Sequence, residues 1–496
     1  MHQLIKIRET NQARQIAAGT VQAFSAEALG LATGLLTVAF LTRQLGPELY
    51  GLFTVAVTIV VWIEVSATLV LSRTTVKFVA EATNWIAVAS TLARAQLLLG
   101  LGVTALLVVS APVLATCLRS AELAGYLRLL ALDIPIFTLA HMHRSILAGR
   151  GAFGRRAILT AGRWLSRMVL ILLLVGLGLS VTGAILASIG ASATELVLAR
   201  VFVRPALLKR FTFPIHRLGG YALPLFLYAI GMQLFSRLDL MVVKALSETP
   251  EAAGFYGAAQ NLTIVPVGLL TASLSPPLLA TLTQMLQQGQ SKAAQDMAGQ
   301  AMRLVLCLLP FAGMAAGAAP EIVGLIYGSL FLPAELLVAL LIFAALALMM
   351  ISVTTVILTA AGRPRWTFAL TGPLVPLAVV GHLLLIPRLG AIGGSLVTTV
   401  VASVGALAAV LAVYRVWRIL PPVRTLLRSI LICALAYILA ALWPMPGFWI
   451  LLKLLAVTFA ILVAFVLLGE FSSNEIVLAR SMLPWQAVRR QNPREV

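Results

Sequence analysis

Charge is scarce in this chain of 496 residues. Only 11% are Asp, Glu, Lys or Arg, against 60% hydrophobic residues, and the mean hydropathy is +1.01. Soluble domains carry about a quarter charged residues and about half apolar ones. A chain this poor in charge cannot cover an apolar core with polar surface, which excludes a cytosolic enzyme and a disordered segment alike. Acid is the scarcer sign, with 17 Asp and Glu against 36 Lys and Arg. Cysteine is nearly missing. Cys117, Cys307 and Cys433 lie in or beside apolar runs with no C-x-x-C spacing, which excludes a disulfide framework and leaves no zinc signature. There is no G-x-x-x-x-G-K-[ST], so ATP hydrolysis by this chain is not expected. No cleavable signal peptide is expected either. Residues 1–15 are polar and basic, and the first apolar run is too long for an h-region.

What is present is a series of apolar runs. A helical membrane span needs about 20 apolar residues. Such runs cover 18–42, 50–72, 88–115, 123–147, 157–179, 181–203, 219–246, 253–283, 297–319, 335–361, 366–386, 390–416, 426–443 and 447–469. The expected fold is therefore an all-α polytopic membrane protein of about 14 transmembrane helices. Only short connections remain. Membrane glycan polymerases and transferases generally carry a sizeable external loop or domain, and none is found, so an enzyme is the weaker reading.

Loop charges give the orientation. With the N-terminus in the cytoplasm, 27 of the 36 Lys and Arg residues fall on inner segments, and only Arg43, Arg119, Lys244 and Arg388 on outer ones. This alternation is the positive-inside pattern, and it places both termini in the cytoplasm. The net charge of +19 is thus mainly an orientation signal rather than a sign of nucleic acid.

The chain also repeats itself weakly. Leu45–Phe53 (LGPELYGLF) follows span 1, and Glu251–Ala258 (EAAGFYGA) follows span 7. Ala148-Gly149-Arg150 follows span 4, and Ala361-Gly362-Arg363 follows span 10. Gly183-Ala184-Ile185 and Gly394-Ser395-Leu396 open spans 6 and 12. Matches in the same order at nearly constant offset imply two pseudo-repeated six-helix bundles plus two C-terminal helices. The expected division is 1–217 for spans 1–6, 218–418 for spans 7–12, and 419–496 for spans 13–14 with a cytoplasmic tail. Such parallel repeats are characteristic of transporters, with the substrate site near mid-depth.

The stretches Arg43–Phe53, Asp239 followed by Ala253-Gly254-Phe255-Tyr256, Ala360–Arg363 and Ile386–Gly394 carry a family likeness. The chain resembles the oligosaccharide flippases of the multidrug/oligosaccharidyl-lipid/polysaccharide (MOP) exporter superfamily, in the polysaccharide-biosynthesis or O-antigen translocase branch. The resemblance implies alternating-access flipping of a polyprenyl-diphosphate-linked oligosaccharide, from cytoplasmic to periplasmic leaflet of a bacterial inner membrane, for O-antigen, capsule or exopolysaccharide. It also implies membrane lipids as surroundings, and a polysaccharide polymerase and export machinery as partners. Cation-coupled multidrug exporters and lipid II flippases share the superfamily and remain alternatives, since fold alone does not set cargo.

A diphosphate is the obstacle to such a cargo, because a bare anion in hydrocarbon is prohibitively costly. Arginine, always charged and able to pair bidentately with phosphate, is the natural receptor. The candidates for diphosphate or sugar contact are Arg237, Arg167, Arg128, Arg73 and Lys77. Arg163, four residues before Arg167 on the same helix face, is expected to snorkel to the inner surface. The carboxylates Glu27, Glu64, Asp133 and Asp239 are the candidates for coupling to a proton or sodium ion. No bound metal or organic cofactor is expected. Lys453 is read as an interface anchor.

Overall fold

Long helices are the only way an apolar chain can satisfy its backbone hydrogen bonds in lipid without closing a barrel. The computed structural model describes residues 2–81, 84–205, 238–363 and 365–470, and among them every regular element is helical. Arg237 and the expected 217/218 boundary lie outside the described residues, as do the side chains of Glu27, Arg73 and Lys77.

The first element, α1, runs His2–Glu81. At about 1.5 Å per residue this is roughly 120 Å of helix, far longer than one crossing of a ~30 Å hydrocarbon core. It is not one helix. Gly46 sits at φ 71°, ψ 175°, and Pro47 follows. A side chain at such a φ is strained and proline lacks the N–H that would continue the ladder, so the helix breaks between the first two expected spans. There follow α2 (Trp85–Cys117), α3 (Glu122–Leu130), α4 (Asp133–Gly149), α5 (Phe153–Leu174), a π-helical turn at Val175–Leu179, α6 (Ser180–Phe202) and the described part of α7 (238–246). The π turn contains Gly178 at φ 89° and separates spans 5 and 6. Next come α8 (Ala252–Gln287), α9 (Ser291–Cys307), α10 (Leu309–Gly317), α11 (Ala319–Tyr327), α12 (Glu335–Ala360), α13 (Arg365–Thr371), α14 (Leu374–Trp417), α15 (Val423–Leu442) and α16 (Ile450–Leu467). The 44-residue α14 is interrupted at Gly390, between spans 11 and 12.

Among the described residues nine helical segments are long and apolar enough to cross a membrane. Several of them, such as the 41-residue and 44-residue segments, hold two of the expected spans on either side of a backbone break. The fourteen-span reading is consistent with this pattern.

Packing divides the chain into two compact units. Unit 1 is Met1–Ala258, Ile326–Ala334 and Val379–Gly394; unit 2 is Ala259–Leu325, Glu335–Ala378 and Ser395–Val496. In unit 1 an apolar core joins α1, α2, α4, α5 and α6 through Val79, Leu92, Met142, Ile146, Leu159 and Ala199. In unit 2 one core joins α8, α9, α12 and α14, and a second joins α15 and α16 through Ile432, Ala436, Val457, Ile461 and Phe465.

Two of the stretches that carry the family likeness, around Gly51 and Gly254, meet in unit 1. A Cβ added at Gly254 would lie 2.0 Å from the Pro47 carbonyl oxygen, and one at Gly51 would lie 2.7 Å from the Gly254 nitrogen. Only glycine permits backbones this close, which is the small-residue logic of membrane helix crossings. The two similar stretches LGPELYGLF and EAAGFYGA therefore pack on each other. Beside the crossing, Phe331 meets Tyr50, Phe255 and Tyr327 at ring separations of 5.7–5.8 Å.

Candidate substrate site

Two helices of unit 1 place their polar residues in register. On α4, Asp133, Phe137, His141 and Arg144 recur at spacings of four, four and three. On α5, Arg156, Arg163 and Arg167 recur at seven and four. Each set occupies one helix face. Glu64 from α1 and Glu195 from α6 complete a ladder between these faces. From Asp133 to Arg144 it extends about 16 Å along α4, at 1.5 Å per residue. This is about half of a bilayer's hydrocarbon core.

The contacts are specific. Glu195 is fully buried and sits 2.7 Å from Arg144 Nε and 3.6 Å from Arg163 Nε. The Phe137 ring lies under both guanidinium groups, 4.4 Å from Arg163 and 5.9 Å from Arg144, an arrangement stabilised by the ring's negative face. Arg163 thus turns inward to Glu195 and Phe137, where snorkelling to the inner surface was expected. Arg144 also donates to Nδ1 of His141 at 3.0 Å. Deeper along the ladder, Glu64, Asp133, Arg163 and Arg167 are within electrostatic range of one another. Glu64 Oε1 and Arg167 Nε are buried with no hydrogen-bond partner among the described residues, and Asp133 lies beside the Ser192 hydroxyl. Buried polar atoms are normally satisfied, so Glu64 and Arg167 stand out among the described residues.

The expected residues thus separate. Glu64, Asp133 and Arg167 come together. Arg128 is exposed on α3 and stands apart from the ladder. Asp239 is buried elsewhere in unit 1, where its carboxylate accepts from the Tyr256 hydroxyl at 2.7 Å and from the Leu240 N–H at 2.8 Å. It therefore helps to fasten α7 to the first turn of α8. Arg144 and Glu195 join the site, with Arg156 exposed at its end. The signal for them was the four-four-three spacing on α4, which puts Arg144 on the face of Asp133. Glu195 is visible only as a lone carboxylate in an apolar helix, which is a site hypothesis by default.

Unit 2 handles its buried charges differently. Lys453, expected as an interface anchor, is fully buried on α16 and pairs with Glu321 of α11 at 2.5 Å. Glu470, just past α16, receives Arg303 Nε at 2.7 Å, Arg428 at 2.9 Å and the Thr425 hydroxyl. Among the described residues no group of three His, Cys, Asp or Glu side chains could hold a metal.

Comparison with solved structures gives the same architecture. The lipid II flippase MurJ, in an inward closed conformation, superposes with a TM-score of 0.71 at 15% identity, over 90% of this chain and 98% of that one. A MATE transporter of Vibrio cholerae superposes at 0.57 and 14% identity, over 82% and 98%. A MOP superfamily transporter of Pyrococcus furiosus, described as having a binding pocket of reversed polarity, superposes at 0.55 and 18% identity, over 81% and 95%. No curated protein sequence matches the chain. The fold is that of MOP superfamily transporters, and the family described as "Polysaccharide biosynthesis protein" matches residues 40–336. The chain belongs to this family of polysaccharide biosynthesis proteins.

Proposed function

We propose that this protein is a flippase that moves a polyprenyl-diphosphate-linked oligosaccharide from the cytoplasmic to the periplasmic leaflet of a bacterial inner membrane by alternating access. The observation that carries this reading is the ladder in unit 1, where Arg144, Arg163 and Arg167 face Glu64, Asp133 and Glu195 inside a membrane helix bundle and a fourth arginine, Arg156, stands exposed at its end. Ionisable residues at membrane depth are expensive to keep and rare, and they mark substrate and ion pathways. An excess of guanidinium suits a diphosphate, and a cation-selective drug exporter would require the opposite excess. The cargo's chemistry asks for no bond breaking, so the protein acts as a transporter rather than an enzyme. Its isoprenoid tail stays in the bilayer while the headgroup passes, and its outward delivery serves a polysaccharide polymerase and export machinery.

In this reading Arg167 receives phosphate, with Arg237 as a second contact inferred from the sequence. Glu64 and Asp133 couple the cycle to a proton or sodium ion by changing the charge that Arg167 and Arg163 face. Arg73 and Lys77 attract the headgroup at the inner surface.

The experiment is an export assay in cells. Replacing Arg167→Ala should leave the protein in the membrane at normal level, lower surface polysaccharide at least tenfold, and accumulate lipid-linked precursor on the inner leaflet. Normal polysaccharide at equal expression would remove Arg167 from the mechanism. In proteoliposomes, flipping that ignores both proton and sodium gradients would remove the coupling role of Glu64 and Asp133.

A further inference from the structure

At the Arg144 end of the ladder the structure opens a small cavity of about 60 Å³. Ser72 of α1, His141, Arg144 and Ser145 of α4 and Arg156 of α5 supply its polar lining. Its volume accommodates a group the size of a phosphoryl. No carboxylate lines it. Glu195 pairs with Arg144 through that guanidinium's Nε.

The hydrogen bonds fix the polarity of the walls. Arginine can only donate, so Nδ1 of His141 accepts from Arg144 and the proton of the neutral ring is on Nε2. The imidazole is therefore a donor on its other side. Ser145 donates to the His141 carbonyl at 3.0 Å, and the Ser72 and Ser145 hydroxyls lie 2.8 Å apart. Since the Ser145 proton is used, Ser72 donates to Ser145 in that pair, and its own proton is used as well. Arg156 is exposed at the cavity's edge and supplies a second guanidinium. Two guanidinium groups and one imidazole N–H around a phosphoryl-sized space make an anion receptor. A cation would be repelled by both arginines.

We infer that this cavity is a binding site for a phosphate group, held by Arg144 and Arg156 at the end of the ladder that the loop charges assign to the cytoplasm. Its phosphate comes either from a polyprenyl diphosphate or from the headgroup of an anionic phospholipid. In the first case, which rests on the flippase reading, it is the first contact of the cargo before the deeper arginines. Arg144 links the two regions physically, since it faces the cavity while Glu195 connects it to Arg163.

The test measures binding, without transport. The purified full chain in nanodiscs of phosphatidylcholine is titrated with inorganic pyrophosphate and with a short-chain polyprenyl diphosphate. Arg156→Gln changes an exposed residue and should raise the Kd for pyrophosphate about tenfold, the loss of one charge-assisted contact. Arg156→Lys should recover part of the affinity, and the neighbouring exposed Arg155→Gln should bind as wild type. Thermal melts confirm that all variants fold. Equal affinity in wild type, Arg156→Gln and Arg144→Gln would overturn the site. Repeating the titration in phosphatidylglycerol nanodiscs separates the sources. Loss of pyrophosphate binding there identifies the phospholipid headgroup, and persistent binding identifies the diphosphate. The export assay on Arg167 is independent, so a failed flippase reading leaves this site standing if Arg156→Gln still weakens pyrophosphate.

Discussion

The two units treat buried charge in opposite ways. In unit 2 each buried ion described above has a close partner: Lys453 with Glu321, and Glu470 with Arg303 and Arg428. These pairs join helices, α16 to α11 and the chain after α16 to α9 and α15, and they involve no ladder. In unit 1 the ions run in a row and share partners, and Glu64 and Arg167 keep buried atoms without a hydrogen bond among the described residues. A paired buried ion is compatible with a structural role, although a well-packed apolar pair often serves stability as well. An under-satisfied row of ions makes little sense for stability alone. Charge in a membrane bundle is therefore informative by its satisfaction rather than by its presence.

The comparison can be broken most sharply at Lys453. Replacing Lys453→Met should destabilise the protein by about 3 kcal/mol, because Glu321 is left without its cation. The double variant Lys453→Met, Glu321→Leu should recover most of that loss and export polysaccharide normally. Thermal unfolding in detergent reads the first outcome and the cell assay the second; a double variant that folds but does not export would move this pair into the mechanism.

A smaller effect is expected at Glu470. Burial pushes its carboxyl up, but hydrogen bonds from Thr425, Arg303 and Arg428 outweigh this and hold it below the usual glutamate range. A depressed folded value stabilises above the unfolded value of about 4.3 and is lost as pH falls through the folded one. Glu470→Gln should thus cost about 1–2 kcal/mol at pH 7, with the same difference at pH 6 and a shrinking one below about pH 4. A difference that instead grows with acid would show that the arginines do not set this carboxyl.

The smallest effect on stability belongs to Arg167. Replacing Arg167→Met removes a poorly satisfied buried ion and should shift stability by no more than about 0.5 kcal/mol. Export should still fall at least tenfold. Loss of stability comparable to that at Lys453 would erase the contrast between the two units and make the ladder structural.

Much of this was legible in the chain itself. Apolar runs are a local property, and they determine the spans because lipid permits few alternatives. The break at Gly46-Pro47 is legible for the same reason, since the chemistry of those two residues acts within one turn. Arg163 and Arg167 could be placed on one face of α5 by spacing alone, and Asp133 with Arg144 on one face of α4. The repeated stretches at 45–53 and 251–258 could be matched by eye.

What only the tertiary structure decided is which faces meet. Helix spacing says that Arg144 and Asp133 share a side, but not that Glu195 from α6 and Glu64 from α1 stand opposite them. The matched stretches could not reveal that Gly51 and Gly254 touch, because backbone approach depends on where two helices cross. Asp239 has the same letter code as an ion-coupling carboxylate and turns out to bind Tyr256. Lys453 reads as an anchor by its depth and is a buried partner of Glu321. Sequence spacing determines the face that a charge occupies. The partner that satisfies it, and hence whether it is structural or free to work, is set by non-local packing, since electrostatic energy in a bundle depends on distances between helices far apart in the chain.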